Sequence, residues 1–139
     1  MATDLGTPIG AIRRLYDVLT ARDFAGTTAL LDPDIVAETP AGQAYIGGRY
    51  HGPEAVITGI WGRLGQAWDP ITPDVAELLD CGDGRVLALG RYHGVLKADG
   101  SVLDAPFAHL WTVRAGRVAG LRVFTDTAIW NKAWGRPLV

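Results

Sequence analysis

Three histidines are spread through 139 residues, and one of them, His109, stands among apolar neighbours. Phe107, His109, Trp111 and Val113 recur at every second position, the period that turns one face of a strand toward a core or a cavity. An unperturbed imidazole titrates at about pH 6.5, so on such a face it is either a hydrogen-bonded structural group or a proton carrier. Two tyrosines can join it: Tyr16, on the apolar side of a predicted helix, and Tyr92, on a neighbouring predicted strand. A Tyr16, Tyr92 and His109 group in a dry site can move a proton at carbon beside a carbonyl and hold the enolate oxygen by hydrogen bonds. The structural alternative is a core imidazole satisfied by those same hydroxyls or by backbone. Trp61, Trp111 and Trp130 either line a space for a flat ligand or are simply core. Asp126 reads first as a helix cap and second as a reserve proton acceptor.

These side chains need a frame, and the hydrophobic pattern supplies one. Ile12, Leu15, Tyr16 and Leu19 at steps of three and four predict an amphipathic helix over 8–22. A short helix follows over 24–31, which Asp32-Pro33-Asp34 breaks, and then a strand over 35–39 with Ile35, Ala37 and Thr39 on one face. Residues 42–52, rich in glycine, read as a loop or an irregular hairpin. Gly52-Pro53-Glu54 starts a third helix, running to about Trp68 on a stripe of Ile57, Ile60, Trp61, Leu64 and Trp68. Four strands come next, over 74–81, 85–97, 102–114 and 117–125, as an antiparallel meander. A last helix spans 127–134, with Gly135 at its end and Pro137 beyond.

Turn chemistry sets which faces meet. A three-residue loop at Arg114-Ala115-Gly116 would put His109, Trp111, Leu121, Val123 and Thr125 on one face, whereas a two-residue loop would bring Arg122 beside His109. The glycine at the third position favours the longer loop. A tight turn at Asp99-Gly100 would pair Gly90 with His109 and keep Tyr92 on the same face. His93 then lies on the opposite face, with Arg122 and Phe124.

Composition narrows the partners. A net charge of −2 with interspersed signs offers no basic stripe for nucleic acid. One cysteine, Cys81, and three scattered histidines give neither a disulfide nor a metal-ligand spacing, so no cofactor or metal is implied. No leader pattern opens the chain, and no run approaches the roughly 20 apolar residues of a membrane span. A single cytoplasmic domain over 1–139 is the expectation, without nucleic-acid or membrane partners.

The order of elements, with YDVLTARDF, ALLDPDIVAETP, GRYHGPEAV and FAHLWTVRAGRVAGLRVFTDTA as successive signatures, resembles the nuclear transport factor 2-like superfamily. Within it the chain looks like the SnoaL-like polyketide cyclases and the ketosteroid isomerases. The resemblance implies an α+β fold: a cone-shaped barrel, its curved antiparallel sheet wrapped on three N-terminal helices and closed by a short C-terminal helix. It also implies an apolar pocket and a homodimer, here through the outer sheet face. By the same resemblance His109 matches the cyclase histidine, and Tyr16 matches the isomerase tyrosine that donates to the oxyanion. The aspartate of the cyclases, shared by epoxide-hydrolase-like members, falls on Val123, and the isomerase base falls on Thr39.

The expected activity is therefore a cofactor-independent cyclase or isomerase acting on a hydrophobic, carbonyl-bearing molecule of polyketide or steroid kind. His109, Tyr16 and, in reserve, Asp126 would act on the proton, while Tyr92, Trp61, Trp111, Thr39, Leu121 and Val123 would bind the substrate. The alternatives are a non-catalytic ligand-binding or assembly module, and an epoxide hydrolase-like or dehydratase activity.

Overall fold

Thr7 and Pro8 start the first helix, since the Thr7 hydroxyl accepts from the Gly10 N–H at 3.0 Å and a proline at the first position gives up no needed donor. The structure is a computed structural model and describes residues 6–135. Residues 1–5, where a leader pattern was looked for, and Pro137 lie outside the described residues. Helix α1 spans Pro8–Thr20 and buries Ile12, Leu15 and Tyr16, the predicted stripe. Helix α2, Phe24–Leu30, is capped by Asp23, whose carboxylate accepts from the Gly26 N–H at 2.8 Å.

Strand β1 runs over Leu31–Thr39, four residues earlier than Ile35, where the sequence placed its start. Helix α2 ends ahead of Asp32-Pro33-Asp34 as expected, and these residues belong to the strand itself, because its pairing with the strand over residues 117–125 is irregular between Leu31 and Val36, where a proline without an N–H costs nothing. Strand β2, Gly48–His51, pairs antiparallel with β1 and makes 42–52 an irregular hairpin. The third helix is one rod in three parts: α3 over Pro53–Val56, a π-helical turn over Ile57–Gly62, and α4 over Arg63–Ala67. The wide turn moves the buried positions to Val56, Ile60 and Leu64, and Gly59 leaves room for the Tyr50 ring, which a Cβ there would approach to 2.5 Å.

Trp68 belongs not to the helix but to β3, Trp68–Gly82, which starts six residues before the predicted position 74. Pro70 and Pro73 argue against a strand in general; this one lies at the sheet edge, where missing donors are tolerated. Strands β4, Arg85–Leu96, β5, Val102–Arg114, and β6, Arg117–Thr125, complete the meander, and α5 covers Thr127–Trp134.

The sheet order is β2-β1-β6-β5-β4-β3, and β1 runs parallel to β6. The wholly antiparallel sheet is thus corrected to a mixed one. Its last meander strand is not left as an open edge, because β1 covers it. Helices pack on the concave face, giving the cone-like α+β fold. The core holds Trp68, Trp111 and Trp130, all fully buried, each removing about 150–250 Å² from water.

Two registers differ from expectation. Arg114 pairs with Arg117, so the β5–β6 turn has two central residues, Ala115 and Gly116, with φ of 51° and 76°. This left-handed pair replaces the three-residue loop. Pairing then slips by one at Ala119, a bulge, and His109 meets Val123 all the same. Between β4 and β5, Leu96 pairs with Ser101 through its N–H at 2.8 Å, so the loop is longer than a tight turn and His109 lies across from Ala88, not Gly90. The shift is two residues, which preserves parity and keeps Tyr92 on the His109 face. Among the described residues no helix is long and apolar enough to cross a membrane.

Candidate functional site

Alternation along β5 buries Leu103, Ala105, Phe107, His109 and Trp111 in turn, so the imidazole points into the cone. Both of its nitrogens are bound there. The Tyr16 hydroxyl lies 2.6 Å from Nδ1, and the Tyr92 hydroxyl is hydrogen-bonded to Nε2. Trp111 Nε1 donates to the Tyr16 oxygen at 2.9 Å, and the Phe107 ring stacks on the imidazole with centroids 4.0 Å apart.

This chain of groups has a proton surplus. Trp111, Tyr16, Tyr92 and a neutral His109 bring four polar hydrogens to three internal bonds. With hydrogen on Nε2, Tyr16 donates to Nδ1 and the Tyr92 O–H is spare; with hydrogen on Nδ1, Tyr92 donates and the Tyr16 O–H is spare. Either tautomer leaves one hydroxyl hydrogen for a guest. Burial drives the imidazole down to about 3, so it is neutral at physiological pH. Burial raises both tyrosines above their ordinary range; Trp111 partly opposes this at Tyr16, and the charge of Tyr16 adds to it at Tyr92.

The group opens on an apolar cavity of about 100 Å³. A cavity of roughly 150 Å³ takes up benzene, so about one ring fits inside and a larger guest keeps part of itself in the mouth. Trp61, Trp111, Leu121, Val123, Thr39 and Tyr92 all line it with Tyr16 and His109. Asp126 does not: it is exposed, and its carboxylate accepts from the Ile129 N–H at 3.2 Å as the cap of α5. His93 is on the outer face against Asp74 and Asp104, and Glu38 is exposed.

Both positions where the resemblance would place an acid are accounted for. Val123 is the direct cross-strand neighbour of His109. Thr39 accepts from the Gly48 N–H at 2.9 Å and donates to the Ile46 carbonyl, so it shapes the loop beside the cavity. Among the described residues that line the cavity none is a carboxylate, and no cluster of three or more His, Cys, Asp and Glu could hold a metal.

Sequence reasoning missed several of the lining residues, and three of them bear on the chemistry of the cavity. Arg22 and Phe24 sit at the cavity, brought there by the turn between α1 and α2. Gln43, in the glycine-rich loop, is the third; the signal was its apolar company, Ala44 and Ile46, in a segment otherwise small or polar.

Residues 12–121 match the SnoaL-like domain family. No functionally curated protein is similar in sequence. Among solved structures, an NTF2-like protein from Burkholderia thailandensis is 30% identical with a TM-score of 0.85, over 94% of this chain and 98% of that one. TerC, crystallised with polyporic acid, is 23% identical with a TM-score of 0.82, over 92% and 98%. IdmH from Streptomyces antibioticus, proposed as a polyketide cyclase, is 21% identical with a TM-score of 0.77, over 93% and 99%. A family match across most of the chain and a relative of the same fold covered over nearly its whole length decide the family: the chain belongs to the SnoaL-like domain family, in the NTF2-like fold.

Proposed function

We propose that this chain is a cofactor-independent enzyme of the isomerase or cyclase kind, moving protons on a hydrophobic, carbonyl-bearing small molecule of polyketide or steroid type. The observation that carries this reading is a neutral imidazole held between two tyrosine hydroxyls, with one O–H to spare, in an apolar cavity. His109 held near 3 is a poor free-standing base at neutral pH. It is well suited to relay. Protonation of Tyr16 oxygen by the substrate, transfer of the Tyr16 hydrogen to Nδ1, and passage of the Nε2 hydrogen to Tyr92 free the original Tyr92 hydrogen for the substrate. One proton enters, one leaves, and no buried imidazolium forms. A carbonyl that accepts from the spare hydroxyl is polarised for loss of the neighbouring C–H. The polyporic acid of TerC and the cyclase proposal for IdmH support a ring-bearing, oxygenated ligand.

The test is deuterium exchange beside the carbonyl of α-tetralone, a two-ring ketone, followed by NMR in deuterium oxide. Wild type should accelerate exchange, and His109→Ala and Tyr92→Phe should each lower the rate about a hundredfold or more. The rate should show no limb near pH 6.5. Unchanged exchange in a folded His109→Ala variant sinks the proposal. The second reading, a binding module without catalysis, is favoured by Val123 and Thr39 at the acid positions; it requires ligand binding with no acceleration by wild type.

A further inference from the structure

The loop between β1 and β2 is fastened from two sides. At its neck the Thr39 hydroxyl bridges Ile46 and Gly48. From α5, Asn131 donates Nδ2 to the Gly42 carbonyl at 2.8 Å and accepts at Oδ1 from the Ala44 N–H at 2.7 Å. Gly47 closes the loop so tightly that a Cβ there would lie 2.5 Å from the Pro40 carbonyl. Between the two residues that Asn131 holds is Gln43, only 4% exposed and lining the cavity. Its Oε1 is sealed from solvent and finds no hydrogen-bond partner among the described residues. A buried amide without a partner is a standing cost that leucine or methionine in the same volume would avoid.

The missing partner can be deduced. An unpaired carbonyl oxygen needs a hydrogen donor, which a ligand ketone or ether cannot supply. A cationic amine would enter an apolar cavity with no carboxylate among the described lining residues. Neutral donors remain, and among them a hydroxyl fits both ends of the carboxamide, donating to Oε1 and accepting from Nε2 as the group turns about its last torsion.

We propose that Gln43 is a specificity-determining residue of this cavity: it hydrogen-bonds a ring hydroxyl that the ligand carries apart from the carbonyl held by the tyrosines. Asn131 is its positioning residue. The inference rests on reading the cavity as a ligand site, and it does not depend on catalysis by His109.

Calorimetric titration with α-tetralone and its ring-hydroxylated isomers tests it. One isomer should bind wild type about tenfold more tightly than α-tetralone. Gln43→Met should erase that preference and leave α-tetralone affinity within about twofold. Gln43→Leu serves as the second variant. Both variants, without ligand, should melt about 2–4 °C higher than wild type, because the orphan amide is gone. A variant that retains the preference, or that melts lower, overturns the proposal. So does wild type that binds every tetralone equally, which leaves the cavity a ligand site. Wild type that binds none of them overturns the ligand reading itself.

Discussion

His109 is expensive to bury, and its pH behaviour should show it. Its folded value of about 3 lies below the ordinary value of about 6.5, so between these limits the unfolded chain binds a proton that the folded chain does not. Stability is complete above about pH 6.5 and is lost as pH falls toward 3, at up to about 1.4 kcal/mol per pH unit. Urea midpoints of wild type should therefore drop more steeply with acid than those of His109→Gln. Parallel slopes would show that the imidazole is not held neutral. The same burial suits the proposed relay, since a tautomer shift never places a charge in the cone. At this scale the sequence was most legible where side-chain parity alone decided the outcome. Phe107, His109 and Trp111 alternate, and no loop geometry can change which of them face together.

Element ends carry a different kind of information, and Asp126 separates the two readings given to it. As the cap of α5 it accepts from Ile129, so Asp126→Ala should lose about 1 kcal/mol in urea unfolding while tetralone exchange stays at the wild-type rate. A large loss of exchange with stability intact would restore it as the proton acceptor. The cap, α5 and its Gly135 end were readable because each rests on local chemistry. Pairing registers were not. The β5–β6 turn and the Ala119 bulge each change the facing residues by one, and only together do they return Val123 to His109. A pattern reading sees the glycine at 116 and not the compensating bulge. Gln43 escaped for a related reason: the 42–47 loop has no period, and what fastens it on either side of Gln43 is Asn131, far along the chain. The parallel β1–β6 pairing is likewise a long-range choice, made by the need to cover β6.

For the molecule as a whole, the outer sheet face is the proposed dimer surface. Phe124 is 47% exposed there, with the Arg122 guanidinium 5.1 Å from its ring centroid, and the Arg91–Asp104 pair lies on the neighbouring strands. Sedimentation velocity should find a dimer at micromolar concentration, and Phe124→Glu should shift it to monomer without loss of helix or strand content. A monomeric wild type would remove that surface from consideration. Helix order, strand order in the meander and the inward imidazole all followed from hydrophobic period and turn residues, because they need only neighbours along the chain. The Asn131 clamp has a consequence for the order of events during synthesis. The loop that carries Gln43 leaves the ribosome ahead of the residue that fastens it and ahead of the Val123 and Trp130 walls. A nascent chain arrested before α5 therefore holds an unfinished receptacle, and ligand cannot assist folding until translation has passed Asn131.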